Sequence, residues 1–140
     1  MSSCFRLKIK LFDTVSVDHN NAGYGSGMYI DSDSTLLLDG AVSVSHNRAT
    51  GGAGGVKAIN GAVIDVRGAT LSGNTALSGS GGAFELRFEA VLSVEGMTAN
   101  YNWASQSGGV VYVAGTATVS GFAAAVCVGN YALRGGMCVR

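Results

Sequence analysis

The sequence has no proline, a single tryptophan and few charges: only 13% of its 140 residues are Asp, Glu, Lys or Arg. Nine basic and nine acidic side chains give a formal net charge of zero, and the basic ones are scattered. That leaves no electrostatic footprint for nucleic acid or an anionic membrane surface. No run approaches the ~20 apolar residues of a membrane span. The first dozen residues, MSSCFRLKIKLF, lack the uninterrupted apolar region and small-residue cleavage site of an export signal. Stretches of Leu, Glu and Lys at helical spacing are missing too. Together with 22 glycines and abundant Val, Ser and Ala, this favours strands and tight turns over helices. Three cysteines, Cys4, Cys127 and Cys138, are an odd number without zinc-type pair spacing. Cys127 falls in an apolar column and is expected as a buried core thiol, with a Cys127 to Cys138 bridge as the alternative.

What the chain does have is a repeat, clearest in LSGNTALSGSGGAFEL at residues 71–86. An asparagine followed two residues later by alanine occurs at Asn20, Asn47, Asn74, Asn102 and Asn130, at spacings of 27, 27, 28 and 28 residues. Each is followed by a pair of small residues, Ser26-Gly27, Gly54-Gly55, Gly81-Gly82, Gly108-Gly109 and Gly135-Gly136. A fixed period with self-similar content means stacked units.

Residues at equal distance from each asparagine form coherent columns. Three before it stand Val17, Val44, Leu71, Ala99 and Cys127; five before it stand Val15, Val42, Ala69, Met97 and Ala125. Their neighbours are small or polar, which is strand alternation with one face buried. Further upstream, Phe12, Val66, Val94 and Phe122 form a column eight before the asparagine, and Leu37, Ile64 and Leu92 one ten before it, interrupted by Lys10, Asp39 and Ser120. Gly40, Gly68, Gly96 and Gly121 separate the two sets and let the chain bend. A third strand follows each small pair, with Phe84, Leu86, Val111 and Val113 expected inside, while Lys57 and Glu85 fall on different phases. Three short strands and three bends per ~27 residues describe a parallel β-helix of five coils. At about 4.8 Å per coil the prism is roughly 24 Å tall, and the crossover rule makes it right-handed.

The asparagine column has a physical reason. An inward amide carries donors and an acceptor, so Asn20, Asn47, Asn74, Asn102 and Asn130 can satisfy their own turns and the next coil's, forming a structural ladder. Gly81 to Phe84 (GGAF) and residues 71–76 (LSGNTA) resemble the polymorphic outer membrane protein repeats, which pair a Gly-Gly-Ala-Ile strand with a Phe-x-x-Asn turn. The resemblance spans residues 17–139. It implies a pectin-lyase-like right-handed β-helix from a surface or secreted protein, often adhesive in that family. Neither end of the chain reads as a solenoid cap, so residues 1–140 are expected to be a single segment of a longer solenoid with flanking coils.

Candidate chemistry is sparse. The glycine clusters at 23–27 and 79–82 lack the lysine of a phosphate loop and read as turns. GGAGGVKAI at 51–59 has Val56 where a calcium nonapeptide needs Asp. His19 and His46 each precede a repeat asparagine and should stack, with Asp18 beside them; the expectation is an exposed stack and no metal. Trp103 and Tyr131 each follow a repeat asparagine. With Tyr101 and Tyr112 they form the candidate ligand platform, since stacked exposed rings suit sugar faces. No cofactor is called for and no catalytic residue is assigned. The reading is a non-catalytic, adhesin-like scaffold at the cell surface or outside the cell, binding glycan or protein partners. A carbohydrate-active lyase or glycoside hydrolase is the runner-up, with Asp31, Asp33, Asp65 and Arg67 as its residues. A truncated gene product without independent activity is the third reading.

Overall fold

The computed structural model describes residues 6–135. The first coil runs through β1 (Lys8–Leu11), β2 (Ser16–Asp18), β3 (Asn21–Ala22) and β4 (Met28–Ile30). The second has β5 (Thr35–Asp39), β6 (Ser43–Ser45), β7 (Arg48–Ala49) and β8 (Val56–Ala58). The third has β9 (Val63–Arg67), β10 (Thr70–Ser72), β11 (Thr75–Ala76) and β12 (Phe84–Arg87). The fourth has β13 (Val91–Val94), β14 (Met97–Asn100), β15 (Trp103–Ser107) and β16 (Val111–Ala114). The fifth contributes β17 (Thr118–Ser120), β18 (Ala125–Val128) and β19 (Tyr131–Arg134), with one turn of 3₁₀-helix at Phe122–Ala124. All pairings are parallel, and the strands stack into four sheets: β1-β5-β9-β13-β17 (sheet I), β2-β6-β10-β14-β18 (sheet II), β3-β7-β11-β15-β19 (sheet III) and β4-β8-β12-β16 (sheet IV). The fold is therefore a parallel β-solenoid of about five turns. Among the described residues, no helix is long and apolar enough to cross a membrane.

Three of these sheets correspond to the strands read from the sequence. The fourth, sheet III, is the short segment directly after each asparagine, where two residues pair in the first three coils before β15 and β19 lengthen. A two-residue strand is too brief for alternation to reveal it.

The main core is an apolar column bounded by sheets I, II and IV, including Leu36, Leu38, Val44, Ile64, Leu71, Phe84, Leu86 and Leu92, and a small second cluster of Ala76, Ala104 and Ala132 lies on sheet III. In sheet II the register is Val17, Val44, Leu71, Ala99, Cys127, one above the other. Sheet I departs from a constant count. Leu36 and Leu38 stack on Ile64 and Val66, while Leu37 pairs with Asp65 on the outer phase and Asp39 with Arg67. Ile9 and Leu11 occupy the inner phase in the first coil, and Val119 lies over Leu92 in the fifth. Lys10, Asp39 and Ser120 thus do not interrupt an inward column, and Leu37 and Phe12 do not belong to one. The first, second and fifth coils carry one extra residue at the bend into sheet II.

The third strands also slip by one. Val56 pairs with Phe84 and Lys57 with Glu85, so these two charged residues share a phase. The glycine pairs follow: Gly54 and Gly55 donate to the carbonyls of Gly81 and Gly82, which sets Gly54 beside Gly82 rather than beside Gly81. At Gly54 a β-carbon would lie 2.4 Å from the Thr75 nitrogen, and at Gly82 it would lie 2.2 Å from the Gly109 carbonyl oxygen. Here glycine is a steric requirement, because the chain crosses close over the neighbouring coil's backbone. Phe84, Leu86 and Val111 are buried as expected. Val113 sits in register on Leu86 but is 39% exposed, at the upper end of the described stack. Cys127 takes its inward column and is disulfide-bonded, which replaces the expected free thiol. Cys4, Cys138, Gly136 and the expected strand 137–139 lie outside the described residues.

Between sheets II and III the five asparagines hydrogen-bond to one another. Asn47 Oδ1 accepts from the Asn20 backbone N–H (3.1 Å) and from Asn20 Nδ2 (2.9 Å). Asn74 Oδ1 accepts the same pair from Asn47, Asn102 from Asn74, and Asn130 from Asn102. The second Nδ2 proton reaches down to a carbonyl in the coil below, Val17, Val44, Leu71 or Ala99. Asn47, Asn74 and Asn102 are fully buried, where an unpaired polar group costs far more than a made hydrogen bond contributes. Asn74→Ala deprives four neighbouring groups of a partner and should cost about 3 kcal/mol in urea denaturation, whereas Asn20→Ala, at the exposed end, should cost under about 1 kcal/mol. Equal losses at the two positions would show that the amides contribute nothing beyond their own turns.

Candidate functional site

The corner between sheets II and III requires a left-handed residue immediately before each asparagine. His19, His46, Gly73, Tyr101 and Gly129 take φ values of 53–64° there. This conformation turns the asparagine inward and throws the preceding side chain outward. His19 and His46 stack with ring centroids 5.0 Å apart and planes inclined by 14°, and His19 Nδ1 lies 3.8 Å from Asp18 Oδ2. Among the described residues no three metal-ligating side chains converge. The Tyr101 ring lies over Gly129, where a β-carbon would come within 2.5 Å of it, and its residue is 67% exposed.

On the other side of the asparagine, Trp103 and Tyr131 are Cα partners in sheet III, followed by a β-bulge between Ala104 and Ser107. Asn102 and Ala104 alternate inward, leaving Trp103 half-buried and Tyr131 exposed on the outer face. The bulge redirects β15 and opens a groove of about 350 Å³ lined by Ser80, Ser105, Gln106, Ser107, Tyr112, Leu133 and Arg134. Gln106 is fixed there by its amide Nε2, which donates to the Ser78 carbonyl at 2.9 Å. Tyr112 reaches the groove from sheet IV. The outer face of β15 and β19 thus leads from Trp103 and Tyr131 to Tyr112, while Tyr101 stands across the asparagine turn from them.

A second cluster occupies the outer face of sheet IV. Glu85 alternates with the core residues Phe84 and Leu86, so it points outward, yet its side chain is only 1% exposed. Arg87 Nε donates to Glu85 Oε1 at 2.5 Å. Lys57 Nζ lies 3.4 Å from Oε2, without the geometry of a hydrogen bond, so Oε2 is buried and unpartnered. Gly52 lies against the carboxylate; a β-carbon on it would sit 3.3 Å from Oε2 and 3.4 Å from Tyr24 Cα. Lys57 Nζ lies over the Tyr24 ring, 5.1 Å from its centroid, and the Arg87 guanidinium lies against the Tyr112 ring at 5.4 Å. Two cations on one buried carboxylate fix the positions of both aromatic rings, and through Arg87 the cluster supports the Tyr112 wall of the groove.

The residues of the enzymatic reading do not converge. Asp31 Oδ1 accepts from Asn60 and Ser32 at the corner between sheets IV and I. Asp33 lies 3.9 Å from Arg6. Asp65 and Arg67 pair with each other at 2.6 Å on the outer face of sheet I, and Arg67 also approaches Glu95. The hydrogen bond and charge of Asp65 raise the pKa of the Arg67 guanidinium.

The Glu85 cluster was hidden in the sequence because Lys57 and Glu85 are 28 residues apart while their asparagines are 27 apart. The available signal was alternation: placing Phe84 and Leu86 inside puts Glu85 outside, and Val56 and Ala58 do the same for Lys57. Burial, followed by the charges of Asp31 and Glu85, raises the Tyr29 phenol above its ordinary value of 10.0. Its proton is therefore held more tightly in the folded state, and the resulting stability is complete below pH 10 and lost as pH rises beyond it. Tyr29→Phe should flatten that alkaline limb in thermal melts taken above pH 10; an unchanged limb would assign it to other groups. Glu85→Ala should cost about 3 kcal/mol in urea denaturation, because it leaves two cations beside an emptied site, and a loss below about 1 kcal/mol would mean that Lys57 and Arg87 escape to solvent. No family model, curated protein or solved structure matches this chain, so what these surfaces do rests on the arrangement of their own side chains.

Proposed function

We propose that this chain is a non-catalytic β-helix scaffold of an extracellular or cell-surface protein of the polymorphic outer membrane protein repeat type, acting as an adhesin-like binder of glycans. The observation that carries the reading is the surface of the last two coils: Trp103 and Tyr131 in register, beside a polar groove walled by Tyr112. Aromatic faces supply apolar contact to a sugar ring, and Ser105, Ser107, Gln106 and Arg134 supply hydrogen-bond donors and acceptors for its hydroxyls. Rigidity adds to this, since residues on adjacent coils are held by the inter-coil hydrogen bonds and lose little freedom on binding.

The test is a polysaccharide panel in which retention and newly formed reducing ends are read from the same wells. Retention without cleavage is expected. Trp103→Ala and Tyr131→Ala should each weaken it about tenfold with little change in melting temperature, because neither ring is part of the core. New reducing ends would overturn the reading and direct attention to the carboxylates; retention unaffected by both substitutions would remove the aromatic edge as its basis.

A further inference from the structure

The corners between sheets IV and I are tight turns stacked on one another at residues 31–34, 59–62, 87–90 and 114–117. In the first three, the fourth residue donates to the carbonyl of the first: Ser34 to Asp31, Ala62 to Ile59 and Ala90 to Arg87, at 3.2–3.3 Å. Two consecutive residues in each have positive φ, the mirror-image turn that favours Gly, Asn and Asp. The first coil meets this demand with Ser32-Asp33 and the second with Asn60-Gly61. The third uses Phe88 (φ 50°) and Glu89 (φ 67°). A bulky aromatic residue in this region is strained.

Packing does not compensate the strain, for Phe88 is 57% exposed. Phe88 instead borders an open groove of about 370 Å³ together with Asn60, Glu89 and Thr116. The turn backbone is fixed from both sides. Gly61 N–H donates to the Phe88 carbonyl at 3.0 Å, and Glu89 N–H donates to Thr116 Oγ1 at 3.1 Å. Asn60 is oriented by its Nδ2 donation to Asp31 Oδ1 at 2.8 Å, which leaves its amide oxygen to the groove. Among the described residues, the Glu89 carboxylate pairs with no cation. Arg87, two residues earlier, is turned away to Glu85 and Tyr112 on sheet IV.

We propose that this corner is a second saccharide site, separate from the Trp103 edge, that takes one neutral pyranose. The apolar face of the sugar rests on the Phe88 ring, and neighbouring hydroxyls donate to the Glu89 carboxylate and the Asn60 amide oxygen. The sugar is neutral because the one charged group in the groove is an unpaired carboxylate, which repels an acidic ring. The proposal rests on the glycan-binding reading, but it makes a claim about stability that does not.

The experiment combines thermal melts with saturation-transfer NMR, using methyl β-D-glucopyranoside, methyl β-D-galactopyranoside and methyl N-acetyl-β-D-glucosaminide as probes. Phe88→Asn places at this turn the residue the second coil already uses. It should melt no lower than the parent while binding of the retained probe falls at least about tenfold, with Trp103→Ala leaving that probe's signal in place. Glu89→Gln should weaken binding without lowering the melting temperature. A lower melting temperature for Phe88→Asn would show the ring to be structural and overturn the site. So would saturation transfer that survives Phe88→Asn, or parent protein that receives none of the three probes. If probe binding vanishes in Trp103→Ala and persists in Phe88→Asn, this corner fails while the glycan-binding scaffold stands.

Discussion

The hydrogen bonds that tie each coil to the next are the constraint on which the rest of the structure depends. Parallel strands about 4.8 Å apart leave no choice about which residue sits above which, so a one-residue error anywhere would turn a core side chain out to solvent. Coil lengths nevertheless vary. The extra residues are absorbed where a bend can take them: ahead of sheet II in the first, second and fifth coils, and in the Leu77 to Gly82 loop of the third. The strands keep register because the corners give it up. The asparagine ladder marks a corner that does not vary, since Asn20, Asn47, Asn74, Asn102 and Asn130 bond directly to one another across every coil.

This division of labour explains what could be read from the sequence. The sheet II columns, from Val17 to Cys127, were legible because only three residues separate them from the asparagines. The sheet I and sheet IV columns lie on the far side of a variable corner. Counting from the asparagine therefore misplaced Phe12 and Leu37 and separated Lys57 from Glu85. Sheet III escaped notice because two residues carry no periodicity. The stacking of His19 on His46 and the alignment of Trp103 with Tyr131 were readable, since both pairs adjoin the ladder. The burial of Glu85 was not, because it depends on Gly52 and Lys57, which lie against it from the coil below.

Surface chemistry follows from the same geometry. Side chains that act together on this molecule are about 27 or 28 residues apart in sequence and one coil apart in space, as with Lys57 and Glu85, Trp103 and Tyr131, or Asn60 and Phe88. Each outer face thus offers a vertical strip whose composition can change at every coil while the core beneath it stays the same. The strip on sheet IV reads Tyr29, Lys57, Glu85, Tyr112, and the corner strip beside it reads Ser32, Asn60, Phe88, Gly115. Function on such a scaffold is written down columns rather than along the chain.

The ladder also has a direction. In every rung the amide nitrogen of the lower coil donates upward and the oxygen of the upper coil accepts, so the five side-chain dipoles point the same way along the axis. A whole coil duplicated or deleted between two asparagines would restore the same donor-to-acceptor junction on both sides. Growth or loss of such a chain by unequal recombination can therefore proceed in units of one coil without a new interface having to be evolved, provided the breakpoints fall at equivalent positions of the repeat.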